Sequence, residues 1–316
     1  MNNQFIYPFV SIIMNCHNSE RYLREAIDSI YAQTYINWEI IFWDNQSTDA
    51  SAEIANTYDT RLKYYHADEF LSLGAARNKA LEHATGEWIG FLDCDDLWTE
   101  DKLALQISEI NKAENKDVGF IYSNFYRFYE KDKKKELALK KSQPSGDIFA
   151  LSLKGYNIGM LTVLLKKEEL FSLSEKFDLN LNIAEERDLF MRILWNTKAL
   201  YIDKPLATYR IHDKMTSIKL KDSGPAEVDY VLNKLKSLDM SNIYCTEFIA
   251  AFKANNRLKA ELFIQNGDSV KAREIMKSFK NERVENRIIY LITYLHPVVA
   301  AIVHKALRNL YFKYRG

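Results

Sequence analysis

Three carboxylates fall within four residues, at Asp93, Asp95 and Asp96 around Cys94. They follow Glu87–Leu92, an apolar run that reads as a buried strand. Helix capping or a turn needs one such group and leaves the others unexplained. At a strand end the two-residue period sends the Asp93 and Asp95 side chains the same way. Like charges so placed repel unless a cation or a proton lies between them. Hard oxygen ligands of this kind suit Mg²⁺ or Mn²⁺ bridging substrate phosphates. An isolated Asp-x-Asp is equally an ordinary turn, so the motif needs company.

Company comes from the other strand ends. Asn15-Cys16-His17-Asn18 follows the apolar run Val10–Met14, and Asp44-Asn45-Gln46-Ser47-Thr48-Asp49 follows Glu39–Trp43. Ligands of an open α/β sheet bind at the carboxyl ends of its strands. Asn18, or Ser19 beside it, and Asp49 also read as helix caps. Further on, Glu185 and Glu186 open a helical pattern over Ala184–Asn196. In it Asp188 and Arg192 make an intrahelical i,i+4 pair, and Arg187 falls on the surface. His212 follows the strand pattern Leu206–Ile211, where it serves either the cleft or ordinary packing.

The elements that would position these groups alternate. Helical spacing of Tyr22, Leu23, Ala26, Ile27 and Ile30 follows the first strand, and a short helix runs from Asp49 to about Tyr58. A third strand is Leu62–Tyr65, then comes a helix over Gly74–Ala84 stopped by Gly86 in the C′ position. Asp101–Ala113 reads as a helix, Val118–Tyr122 and Met160–Lys166 as strands. This alternation predicts βαβ units and a mostly parallel twisted sheet with flanking helices. Residues 130–147, with the charged run Glu130–Glu136, read as a surface excursion. After Pro225 only helices are predicted: Val228–Leu238, Cys245–Gln265, Ser269–Phe279 and one long helix Arg283–Leu310. The domains expected are therefore 1–222, split into halves at about 8–125 and 126–222, and an all-α extension over 223–316.

Composition sets outer limits. The 316 residues carry 43 Lys plus Arg against 43 Asp plus Glu, which argues against a chain-wide nucleic-acid binder. Cys16, Cys94 and Cys245 are odd in number and form no CxxC, so a disulfide framework or structural zinc is not expected and a reducing compartment is. The stretch MNNQFIYPFVSIIM lacks a basic n-region and is not read as a signal peptide. Neither GxGxxG nor GxxxxGK[ST] occurs.

The blocks VSIIMNCHNSERYLREAIDSIYAQTY, WEIIFWDNQSTDAS and GAARNKALEHATGEWIGFLDCDD together resemble family 2 glycosyltransferases. Ala184–Arg192 and Tyr209-Arg-Ile-His212 extend the resemblance to about two thirds of the chain. It implies a glycosyltransferase-A fold, with a nucleotide-sugar-binding half whose Asp-x-Asp holds a divalent metal, Mn²⁺ or Mg²⁺. It assigns Asn15, His17 and Asn18 to the loop that cradles the donor base; an imidazole there can stack on a base or serve the loop structurally. Asp44-Asn45 matches a usual Asp-Asp pair, whose second member accepts the N3–H of uracil. Asn45 departs from it, though its amide oxygen still accepts. Arg77 matches an arginine near the donor diphosphate, a role its guanidinium fork suits, against a place on a solvated helix face. Asp93 would contact ribose or metal, Asp95 the metal, and His212 the metal or diphosphate; Asp96 would brace the loop or cap the next turn. Glu186 matches the catalytic base of inverting members, with Glu185 beside it.

The expected activity is transfer of one sugar, with inversion, from a nucleotide-sugar, a UDP-sugar in the first instance. The acceptor would be a glycan or lipid-linked glycan hydroxyl in bacterial surface-polysaccharide assembly, with no nucleic-acid partner. A processive synthase would show Gln-x-x-Arg-Trp and membrane spans, and neither is found. A phosphohydrolase of the haloacid dehalogenase type would carry its Asp-x-Asp near the first strand, and a non-catalytic sugar-nucleotide binder would not need the paired glutamates. The tail supports two readings. After Glu285 no acidic residue remains, and Arg287, Lys305, Arg308, Lys313 and Arg315 flank the apolar run Ile288–Val303. Residues 287–316 either pack as a helix or lie on an anionic membrane surface, which would make the protein cytoplasmic and peripheral on the inner face.

Overall fold

A computed structural model describes residues 7–112 and 117–315, with side chains through Arg308. Expectations about a leader at Met1–Ile6, a helix end at Ala113 and the side chains of Lys313 and Arg315 fall outside them. The chain divides into two compact units: residues up to Ser152 with Tyr156–Lys219, and Leu153–Gly155 with the chain from Leu220.

In the first unit β1 (Val10–Cys16), α1 (Glu20–Tyr31), β2 (Trp38–Asp44), α2 (Ser51–Ala55), β3 (Leu62–His66), α3 (Leu73–Leu81) and β4 (Trp88–Phe91) alternate as expected. They form the parallel order β3-β2-β1-β4. β2 is buried along its whole length, which is why it reads as an apolar run without alternation. The stripe Tyr22, Leu23, Ala26, Ile27 and Ile30 of α1 is buried. Leu23, Ala26, Ile27 and Ile30 join the main core with Ile12, Met14, Ile40 and Phe42.

The second half is more mixed. It contains β5 (Leu97–Trp98), α4 (Lys102–Ile110), β6 (Val118–Tyr129), β7 (Lys134–Leu137), α5 (Phe149–Lys154), a 3-10 turn (Met160–Thr162), β8 (Leu164–Lys166), α6 (Lys167–Ser172), α7 (Glu185–Leu194), β9 (Lys198–Ile211) and α8 (Thr216–Lys219). β8 is antiparallel to both β4 and β6, β6 and β9 are parallel, and β5 is antiparallel to β9. The sheet is thus parallel over its first half and mixed overall.

Several local expectations are corrected. β6 and β9 run much longer than their apolar patches because each is paired along its length with the other. The charged run after Glu130 contains β7, which closes a hairpin on β6 from Tyr126 to Tyr129. α3 ends before Gly86, so Gly86 is no C′ residue. A Cβ there would lie 2.5 Å from Ser11 N and 2.7 Å from Phe9 O, so glycine is required by the close approach of β1. Neither Asn18 nor Ser19 caps α1 with its side chain. Asp49 does so from the other loop: its Oδ2 accepts from Glu20 N at 3.0 Å, while Glu20 Oε2 accepts from Ala50 N at 2.9 Å. This reciprocal pair ties the loop after β1 to the loop after β2.

The second unit is all-α: α9 (Gly224–Leu238), α10 (Cys245–Gln265), α11 (Ser269–Met276), α12 (Val284–Ile292) and α13 (Pro297–Arg315). Ala260, Ile264, Ala272, Met276, Phe279, Ile289, Ile292 and Ala300 make its core. Gly267, at φ +81°, separates α10 from α11, and Asp268 caps α11 by accepting from Lys271 N at 3.1 Å. The single helix expected over 283–310 is two, because Pro297 lacks an N–H and starts a new helix rather than continuing the old one. Among the described residues no helix is long and apolar enough to cross a membrane.

Candidate active site

The acidic residues do not sit on the strand. β4 ends at Phe91, and Asp93–Asp96 form a turn closed by Asp96 N donating to Asp93 O at 3.1 Å. The strand-period argument for Asp93 and Asp95 therefore fails, and the turn aims them instead. β5 carries the chain away and pairs with β9, so the turn is clamped between two strands. Buried Asp96 braces it, accepting from Arg210 N at 2.9 Å, as expected of its supporting role. Burial, with the charges of Asp95 and Asp93, holds the Asp96 carboxyl well above the usual carboxylate range. The Arg210 guanidinium donates to Asp95 O at 2.9 Å and to Glu25 at 2.6 Å, and lies 4.5 Å from the Tyr22 ring centre.

Arg210 and Tyr22 are contributors that the sequence reading missed. A signal existed for the first. Arg210 and His212 are two apart at the end of β9, and both reach Asp95. His212 Nε2 lies 2.9 Å from Asp95 Oδ2, and its Nδ1 accepts from Lys214 N at 3.3 Å. That second bond assigns the proton to Nε2, which donates to the carboxylate. Burial, then the Asp93 charge, raises the Asp95 carboxyl above its ordinary value, while His212 opposes the rise.

Arg77 is 4% exposed, so it does not lie on a solvated helix face. Its Nη2 donates to Asp93 Oδ1 at 3.0 Å and its Nη1 to Glu185 Oε1 at 2.7 Å. A single guanidinium therefore joins the acidic turn to the start of α7. The second oxygen of Glu185 is buried with no protein partner. Glu186 is partly buried, and its carboxyl is pushed up to about 8, by burial first and then by the Glu185 and Asp93 charges, against the pull of Arg77 and a backbone bond from Met160. Asp188 and Arg192 make the expected i,i+4 pair at 2.6 Å. Arg187 is half-buried rather than on the surface, its guanidinium 5.3 Å from the Tyr156 ring centre.

These groups share one cavity of about 880 Å³ in the first unit. Asn15, His17, Asn18, Arg77, Asp93, Asp95, Glu185, Glu186 and His212 all line it. The side-chain nitrogen of Asn15 is buried without a protein hydrogen-bond partner. His17 stands edge-on to Phe70, with ring centres 4.8 Å apart. Asp44 and Asn45 are not on the cavity wall. Asp44 accepts from Ser47 N at 2.8 Å and Tyr64 OH at 2.7 Å. Asn45 exchanges two bonds with the Leu71 backbone, at 2.9 and 3.0 Å. Both side chains fix the loops behind the wall, and Asn45 O meets His17 Nδ1 at 2.9 Å.

The donor set fits a hard divalent cation. Asp93 and Asp95 both line the cavity, and the Asp95 carboxylate is bonded to the His212 imidazole; carboxylate and imidazole donors of this kind suit Mn²⁺ or Mg²⁺. Another acidic group, Glu175, Asp178 and Asp188, has ligand atoms within 4.8 Å of one another. Arg192 already donates to Asp188 there, at 2.9 and 2.6 Å, so that cluster carries its own cation.

Comparison with known proteins agrees with this geometry. The family model described as Glycosyl transferase family 2 matches residues 11–170. An uncharacterised glycosyltransferase of Rickettsia typhi is 31% identical over 270 residues, covering 80% of this chain and 82% of that protein. The Escherichia coli UDP-Glc:alpha-D-GlcNAc-diphosphoundecaprenol beta-1,3-glucosyltransferase WfgD is 35% identical over 159 residues, which is 50% of this chain and 60% of WfgD. In fold the chain is similar to S. aureus TarS 1-349 in complex with UDP-GlcNAc, with a TM-score of 0.61 at 16% identity over 96% of this chain and 92% of that one.

Proposed function

The chain belongs to glycosyl transferase family 2, and on that premise we propose that it moves one sugar from a UDP-sugar to a hydroxyl of a glycan or lipid-linked glycan, with inversion, in bacterial surface-polysaccharide assembly. Its first unit has the glycosyltransferase-A fold, and it is a nucleotide-sugar glycosyltransferase. The UDP donor is supported by WfgD, named for UDP-Glc, and by TarS, solved with UDP-GlcNAc. The lipid-linked acceptor is supported by the diphosphoundecaprenol in WfgD's name. A cytoplasmic site on the inner membrane face accords with three free cysteines.

One observation carries the reading: Glu186 opens onto the same cavity as Asp93, Asp95 and His212. Asp95, with Asp93, would hold Mn²⁺ or Mg²⁺, and His212 would join them through Nε2 once that nitrogen gives up its proton and its bond to Asp95. Bound there, the ion supplies positive charge to the departing diphosphate. Asn15, His17 and Asn18 line the donor side, and Asn15 offers an unpaired N–H to base or ribose. Asp44 and Asn45 act on the donor by holding that loop. Arg77 keeps Asp93 and Glu185 in place. Glu186 takes the proton of the acceptor hydroxyl, and that oxygen attacks the anomeric carbon. The bond to the diphosphate breaks on the opposite face, and its electron pair leaves with the phosphate oxygen. One displacement inverts the anomeric centre without a glycosyl-enzyme.

The test is a donor screen with UDP- and GDP-sugars and Mn²⁺, read as nucleotide release, followed by NMR of the product linkage. Slow UDP release without acceptor, faster with it, is the expected result. Silence across donors and acceptors would reduce the protein to a sugar-nucleotide binder.

A further inference from the structure

The connection between α12 and α13 is built unlike the rest of the surface. Tyr294–Val299 are six consecutive exposed residues, Tyr-Leu-His-Pro-Val-Val, with no carboxylate, Lys or Arg among them. Leu291 before the turn and Ile302 after it are 58% and 63% exposed and extend the patch by a helical turn on each side. The opposite faces are already used: Ile289, Ile292 and Ala300 pack with Ala260, Ile264 and Met276. The hairpin is therefore anchored, and its apolar tip is not a core face left open. Uncharged apolar runs of this length on a surface call for a covering partner.

Charge selects the partner. Arg287 stands one turn before Leu291 and Lys305 one turn past Ile302, both exposed. The Arg273 guanidinium lies 3.9 Å from the Tyr294 ring centre and Lys280 Nζ 4.2 Å from that of Tyr290. No acidic residue follows Glu285. An apolar tip with a cationic collar matches the acyl boundary beneath anionic headgroups. We infer that the α12–α13 turn is a membrane-docking tip that inserts Leu295, Val298 and Val299 into the headgroup boundary of an anionic lipid surface while Arg287 and Lys305 meet lipid phosphates. The helix break makes this a hairpin tip rather than the single flat segment over 287–316 that the sequence suggests. The inference stands apart from the transferase reading, since lipid binding is measured without turnover.

The experiment is flotation of the full chain with phosphatidylglycerol vesicles and with phosphatidylcholine vesicles, at low and high salt. Wild type is expected to float with the anionic vesicles at low salt, to float less at high salt, and to stay down with the zwitterionic ones. Val298→Glu with Ile302→Glu, and separately Arg287→Glu with Lys305→Glu, are expected to lower binding roughly tenfold or more, with unchanged circular dichroism. The charge pair touches only exposed positions, so it decides the matter if the apolar pair fails to fold. Wild type that ignores anionic vesicles at low salt overturns the inference, as does wild-type flotation by folded variants. A dimer in gel filtration that Val298→Glu with Ile302→Glu splits also overturns it, because a second copy then covers the tip.

Discussion

Glu186 combines a place on a ligand cavity with a carboxyl raised to about 8 by burial and by the Glu185 and Asp93 charges. A general base must be ionised, so turnover is expected to rise with pH as Glu186 loses its proton, up to about 8. Glu186→Gln keeps the size and removes the base; initial rates should fall roughly 10²–10⁴-fold, with UDP affinity by calorimetry preserved. If affinity falls in step with rate, Glu186 is a binding group; if Glu185→Gln alone loses activity, the base is one residue earlier. Stability gives an independent reading. A carboxyl raised in the folded state contributes stability below its unfolded pKa, and that contribution is lost as pH rises through the folded value. Wild type should thus lose melting temperature between the ordinary glutamate range and about 8, and Glu186→Gln should lose less. Parallel curves for the two proteins would mean the Glu186 carboxyl is not raised. Asp95→Ala removes a side chain from a cavity-lining turn, not from the core, so it should abolish metal-dependent turnover while circular dichroism stays native. Near-normal activity in Mn²⁺ would remove Asp95 from the metal set.

At the level of elements, the acidic turn is held from three directions. β4 feeds it, β5 ties it to β9, and Arg210 donates to the Asp95 carbonyl while its own backbone N–H meets Asp96. Cys94 Sγ adds a bond to Asn15 O at 3.2 Å, linking the turn to the end of β1. The register of β1 against β4 is therefore part of the site, and Gly86 guards it. Gly86→Ala would place a Cβ 2.5 Å from Ser11 N, 2.7 Å from Phe9 O and 2.8 Å from Val10 C, all backbone atoms that cannot swing aside. The expected cost is about 1–3 kcal/mol in urea unfolding, with some loss of turnover as β1 shifts. An unchanged midpoint would show that β1 moves freely there.

For the molecule as a whole, ligands that bind only the folded chain raise its apparent stability by mass action. At a hundredfold excess over Kd the gain is about 2.7 kcal/mol, or several degrees for a unit of this size. Mn²⁺ with UDP is expected to raise the melting temperature of the wild type, and Mn²⁺ should add nothing in Asp95→Ala. Calorimetry showing an equal Mn²⁺ effect in both would move the metal elsewhere in the chain.

Residue order alone determined the alternation of strands and helices, the buried stripe of α1, the helical character of the region after Pro225, and the identity of the polar groups at the strand ends. All of these rest on spacings of a few residues, which sequence displays directly. Tertiary structure decided the partners. His212 reaches Asp95 across 117 positions, and Arg77 reaches Glu185 across 108. Asp49 looks like the cap of its own helix, and its Oδ1 does accept from Ser51 N at 3.0 Å, but its Oδ2 also caps α1, because the loops after β1 and β2 lie side by side only once those strands pair in register. Asp44 and Asn45, equally polar on paper, turn inward to Tyr64 and Leu71, since β3 and the loop after it stand behind them. Which carboxylate faces a cavity and which is spent on a backbone N–H depends on strand register and on buried cations, and both are set by contacts far apart in the chain.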